Sequence, residues 1–180
     1  QKRPLTQRKL KELARQVPYY PGVDEGYFDQ LDEFLAALPE VSEVGITLEH
    51  YIISSGLQEI LDGVSIRKYF KKIYACAYDF CGGRPLFPKL VINDTNKTQF
   101  LFRINKGKLD LSESINKHMP DEKRRIPFSN MIYIGDGITD VPSMTVMNKS
   151  GGYAIAVYDP AGQVPREVKN MIAEKRAEHF

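Results

Sequence analysis

Only two cysteines and three histidines occur in the 180 residues, and none falls at a metal-ligand spacing. The gap between Cys76 and Cys81 is not that of a zinc knuckle, and Cys81 runs into Gly82-Gly83, a turn signal. Free thiols in a reducing, cytoplasmic setting are the expectation. His50, His118 and His179 carry no assigned chemistry. Long apolar runs are missing as well, so no stretch reaches the length of a membrane span, and none reads as a signal peptide. Neither sign of charge is in large excess: a formal net charge of +2 leaves no footprint for nucleic acid or an anionic membrane. The basic run Lys2, Arg3, Arg8, Lys9, Lys11 and Arg15 lies on an amphipathic helix, whose solvated face accounts for it. Internal repeats and low-complexity segments are absent.

What remains is a length suited to one domain with a real core and a small appendage. Leu10, Leu13, Ala14 and Val17 recur at helical spacing and predict a helix over about residues 6–17. Two prolines and a glycine between Val17 and Gly22 then mark a boundary. A second helix is predicted from Asp24, burying Phe28, Leu31, Phe34 and Leu38 and stopped by Pro39. Strands are predicted at Glu49–Ser54, Ile73–Tyr78, Leu86–Ile92, Met131–Ile134 and Tyr153–Val157. Helices are predicted after Gly56, over Arg67–Lys72, over Thr98–Asn105, from Asp140 and over Val164–Ala177, with a polar excursion at 108–127. This alternation implies an α/β fold: a doubly wound, mostly parallel Rossmann-like sheet covered on both faces.

Chemistry concentrates in three loops. Tyr133-Ile134 leads into Gly135-Asp136-Gly137-Ile138-Thr139-Asp140, which puts two carboxylates at the end of a buried strand, where open α/β sheets collect ligands. Two hard oxygen donors with little bulk around them suit Mg2+, which keeps waters and shares phosphate oxygens. The same residues also fit a helix cap, because Asp140 is followed by Val141 and Pro142. An EF-hand is excluded by the missing acidic alternation. Ser54, Ser55 and Gly56 close another strand and open a helix, a place where hydroxyls and backbone N–H groups meet an anion or merely cap. Lys97 stands at a helix start, against the dipole, which costs a few tenths of a kcal/mol up to about 1 and invites a functional explanation. Hydroxyl, ammonium and carboxylate pair are together the parts for phosphoryl transfer.

These motifs resemble the haloacid dehalogenase (HAD) superfamily, nearest its phosphoserine-phosphatase-like branch. Tyr51-Ile52-Ile53-Ser54-Ser55-Gly56 is similar to the family's second motif, and Gly135 to Asp140, with Ser143-Met144 beyond, to its fourth. Tyr20-Pro21-Gly22-Val23 resembles the re-entry from cap to core, which implies a helical cap remnant at 1–19 and a HAD-like core at 20–180. Lys97 fits the third motif, with Lys117 as the alternative. The resemblance implies Ser54 and Lys97 as catalytic residues. It implies Ser55 and Gly56 in substrate binding, Asp136 as ligand to Mg2+, and Asp140 in support of the metal shell. The implied reaction is hydrolysis of a small phosphorylated metabolite through an aspartyl-phosphate.

The family's first motif, Asp-x-Asp-x-Thr, which carries the nucleophile, does not occur in the 180 residues. The resemblance places that strand between those at 49–53 and 131–134. Its loss would open a gap of roughly two strand spacings, about 9–10 Å. The expectation is an N-terminal segment upstream of Gln1, a clipped C-terminus near Phe180, and inactivity of these residues alone. The rivals are a phosphate-binding pseudoenzyme without a nucleophile, and a phosphotransferase or phosphonatase of the same superfamily. Tyr74, Tyr78, Phe80, Arg84 and Phe87 fit either a flap at the pocket mouth or an ordinary surface hairpin.

Overall fold

The computed structural model describes residues 5–177. Lys2 and Arg3 of the basic run, and the terminal residues 178–180, lie outside the described residues. The chain is mixed α/β and divides into two compact units, one up to Val91 and one from Ile92. No helix among the described residues is long and apolar enough to cross a membrane.

The first unit begins with α1 (Gln7–Leu13), where the Thr6 hydroxyl accepts the Lys9 N–H at 3.2 Å and so caps the first turn. Leu10 and Ala14 are buried, and α1 packs on α4 (Gln58–Leu61), which ties the segment expected to be a cap remnant into this unit's core. Helix α2 (Glu25–Ala36) is capped by Asp24, which accepts the Tyr27 N–H at 3.0 Å. Its Phe28 is buried and stacks on Tyr69 with ring centroids 4.6 Å apart. Phe34, expected inside, is 61% exposed. Six residues on from Phe28, it stands a third of a turn off the buried stripe. Helix α2 ends before Pro39, as expected, with Leu38 extended between it and the next helix. Pro39 opens α3 (Pro39–Val44) at the first position, where its missing N–H removes no hydrogen bond.

Strands β1 (His50–Leu57) and β2 (Phe70–Cys81) run parallel, and β3 (Arg84–Leu90) returns antiparallel to β2, in the order β1-β2-β3. Gly82 and Gly83 make the hairpin turn with φ of +56° and +76°, a region that side chains disfavour. The helix expected over Arg67–Lys72 is only a 3-10 turn ending at Tyr69. Pairing of His50 with Phe70 and of Tyr51 with Lys72 captures the remainder as strand, so tertiary pairing overrides the local pattern. In the hairpin, Tyr74 is core while Leu86 and Phe87 are exposed.

The second unit comprises α5 (Lys97–Lys106), β4 (Ile132–Gly135), α6 (Val141–Lys149), β5 (Tyr153–Ala156) and α7 (Arg166–Ala173). β4 and β5 pair in parallel, from Ile132 opposite Tyr153 to Gly135 opposite Ala156. Alternation gives the pair one buried face, Tyr133, Gly135, Ala154 and Ala156, with α6 packed on both strands. On the other face Ile132, Ile134 and Tyr153 are all more than half exposed. The excursion after α5 is not loose chain. Arg103 Nη1 donates to the carbonyl oxygens of Lys108 (3.3 Å), Asp110 (2.8 Å) and Glu113 (3.0 Å). Lys106 Nζ donates to those of Ile115 (2.6 Å) and Lys117 (3.0 Å).

Candidate active site

β4 delivers the Gly135–Asp140 loop. The chain leaves the strand at Gly135, makes one 3-10 turn over Ile138–Asp140, and enters α6 with Pro142 in its first turn. Asp140 occupies the cap position of α6, yet its side chain makes no cap bond. Its carboxylate turns inward instead. Oδ1 accepts Lys97 Nζ at 2.7 Å and the Tyr133 hydroxyl at 2.6 Å, and Oδ2 accepts the backbone N–H of Asp136 at 3.3 Å. Lys97 Nζ also reaches Thr139 Oγ1 at 3.3 Å. Lys97 and Asp140 are each 5% exposed, so this ion pair is enclosed. Burial, with the Asp140 carboxylate second, pushes the Tyr133 hydroxyl well above the usual phenol range, and it stays a donor.

The start of α5 explains how Lys97 is held. Asn93 and Asn96 cap one another: Asn93 N–H donates to Asn96 Oδ1 at 2.8 Å and Asn96 N–H to Asn93 Oδ1 at 3.0 Å. This fixes the turn and aims the lysine stem inward, and the cost of a cation at a helix N-terminus is offset by the buried carboxylate. Lys117, the alternative motif lysine, is exposed, and its carbonyl takes Lys106.

Asp136 and Asp140 are the residues of this loop that could hold a divalent cation. Asp136 is exposed at the loop's tip, and the backbone behind it is packed tightly. A Cβ built on Gly135 would stand 2.7 Å from Asp140 Cβ, so only glycine lets the inward carboxylate pass. Among the described residues no three His, Cys, Asp or Glu side chains gather as a cage. Mg2+ asks for none, because it takes one or two carboxylates and fills its shell with water and phosphate oxygens.

Ser54 belongs to the first unit, while Lys97, Asp136 and Asp140 belong to the second. Ser54-Ser55-Gly56 form an irregularity inside β1, between its pairings at Ile53 and Leu57, rather than a strand end. Ser54 Oγ accepts the Gly56 N–H at 3.0 Å, and Ser55 and Gly56 are exposed. The helix expected to follow is α4, four residues long and without a side-chain cap. In the second unit, Lys97 and Asp140 meet directly and Asp136 joins them through its amide. Tyr133 and Thr139 are members that the sequence reading missed. A lone tyrosine in an aliphatic strand, two residues before Gly135 and so on the same side, was the available signal, because a buried phenol needs a partner.

No known family profile matches the chain. An uncharacterized protein of Borreliella burgdorferi is 33% identical over 159 residues, covering 80% of this chain and 53% of that protein. The chain thus spans about half the length of the curated relative it matches. The crystal structure of a HAD family hydrolase from Salmonella enterica subsp. enterica serovar Typhi is similar with a TM-score of 0.51 at 20% identity. That likeness covers 85% of this chain and 42% of the other, and it gives this chain a HAD-like α/β fold.

Proposed function

We propose that this chain is part of the core of a magnesium-dependent phosphomonoester hydrolase of the phosphoserine-phosphatase-like kind, acting on a small phosphorylated metabolite in the cytoplasm. The observation that carries the reading is the enclosed Lys97–Asp140 pair directly behind the Gly135–Asp140 loop. A buried ammonium and carboxylate at the end of a parallel strand are costly to desolvate, and a phosphoryl site is a reason to keep them. Asp136 would hold Mg2+ with Asp140 in support, and the bound ion would draw charge from phosphoryl oxygens. Lys97 neutralises charge at the reacting group. Ser54, with Ser55 and Gly56, is assigned to the transferred phosphoryl on motif resemblance. The attacking carboxylate belongs to an Asp-x-Asp-x-Thr segment, which these 180 residues do not contain. They are therefore expected to be inactive alone.

A second reading is a phosphate-binding module without turnover. Calorimetric titration with Mg2+ and then inorganic phosphate, alongside phosphate release from a panel of phosphomonoesters, tests both. Expected are Mg2+ binding that Asp136→Asn abolishes, and hydrolysis only when an Asp-x-Asp-x-Thr segment is present. Absence of Mg2+ binding to the unaltered protein would overturn the hydrolase reading. Phosphate binding without hydrolysis, even with that segment in place, would leave the module.

A further inference from the structure

Asp140 has two carboxylate oxygens with different duties. Oδ1 is shared by Lys97 Nζ and the Tyr133 hydroxyl, whereas Oδ2 receives the N–H of Asp136. The two donors on Oδ1 differ in kind. Lysine ends a flexible four-carbon stem and can follow a carboxylate as it turns. The Tyr133 ring projects from the second residue of a four-residue strand, is 8% exposed, and sits where β4 pairs with β5. The ring is held by its surroundings, and its hydroxyl donates to Asp140 Oδ1. Its 2.6 Å bond therefore sets the rotation of the Asp140 carboxylate, and that rotation decides whether Oδ2 can meet the Asp136 amide.

We infer that Tyr133 is a positioning residue of the metal loop, acting through Asp140 to fix the backbone of Asp136 and hence the place where Asp136 presents its carboxylate to a divalent cation. This rests on the reading of the loop as a Mg2+ site. Outer partners that orient ligands in this way cost 10–100-fold in metal affinity when removed. Asp140, with Oδ1 engaged twice and Oδ2 engaged once, serves the ion from behind.

Tyr133→Phe keeps the ring and deletes only the hydroxyl. Two measurements on the purified protein then decide the matter: Mg2+ affinity by calorimetry, and hydrogen exchange of the Asp136 amide in the metal-free state. The expected result is Mg2+ affinity weakened about 10-fold and faster exchange at Asp136, out of proportion to any change in thermal midpoint. A hydroxyl with a merely structural role would lower the midpoint and leave affinity untouched. Unchanged affinity, or an Asp136 amide as protected as before, would overturn the inference. Absence of Mg2+ binding by the unaltered protein would instead remove the phosphatase reading on which it stands, so the two failures are told apart.

Discussion

At the two ends of α5 the chain buries cations in opposite ways. Lys97, in the first turn, meets a carboxylate at 2.7 Å, while Arg103 and Lys106, in the last, meet six backbone carbonyls of the segment 108–117. The helix dipole favours cations at the second end and opposes one at the first. Carbonyl partners are uncharged and cheap to supply, and they turn an irregular segment into an ordered one. A full carboxylate is needed at the N-terminal end, because only an opposite charge makes a buried lysine tolerable there. The difference separates architecture from chemistry: one end organises a loop, and the other holds paired charges beside an exposed aspartate.

The largest effect should come from breaking the charged end. Lys97→Met leaves Asp140 buried without its ammonium, and a loss of about 3–5 kcal/mol is expected by urea denaturation. Adding Asp140→Leu should recover much of that loss, because an apolar pair of similar volume is often neutral in stability. The double variant lacks the carboxylate behind Asp136 and should bind Mg2+ more weakly than the unaltered protein, which separates the pair's stability role from its chemical one. At the other end, Arg103→Met keeps the apolar stem and removes the guanidinium from four carbonyls. About 1–3 kcal/mol is expected, with proteolytic nicking appearing within 108–117 and Mg2+ affinity unchanged. If Arg103→Met weakens Mg2+ affinity as the double variant does, the two ends of α5 are not the separate devices described above.

Both ends of α5 were readable from sequence to different depths. Its limits were plain, because a lysine-led helix closed by Gly107 is a local pattern and φ of +70° at that glycine is a local necessity. The strand and glycine loop leading to Asp136 were plain for the same reason. Partners were another matter. Asp140 read equally well as a helix cap and as a metal residue, since both uses demand an aspartate before Val141-Pro142. Only the fold shows its carboxylate turned inward to Lys97, 43 residues earlier in the chain. Alternation placed Tyr133 on the side of Gly135 but could not say which acceptor would arrive there. Phe34 was misjudged because apolar identity was weighed above angular position on α2. The carbonyl grip of Arg103 left no sequence trace, since backbone oxygens look alike at every residue.

A half-buried polar side chain elsewhere adopts neither solution. His50, on β1, packs edge-on against Phe28 at 5.0 Å and Phe70 at 6.3 Å, and its Nε2 is buried without a hydrogen-bond partner. With neither counter-charge nor carbonyl at that nitrogen, the ring stays neutral. Burial pulls its ionisation below the usual histidine value, and the Asp32 carboxylate offsets only part of this. In the unfolded chain the same imidazole takes a proton near pH 6.5. The unfolded state therefore binds more protons once the pH drops below about 6.5, and folding stability falls from there toward the lower folded value. Above that pH the group has no effect. His50→Phe should preserve the aromatic packing, leave the thermal midpoint at pH 8 nearly unchanged, and flatten its decline between pH 7 and pH 5. This is the smallest of the expected effects, and a decline as steep as in the unaltered protein would mean that His50 finds, on protonation, the counter-charge that Lys97 already has.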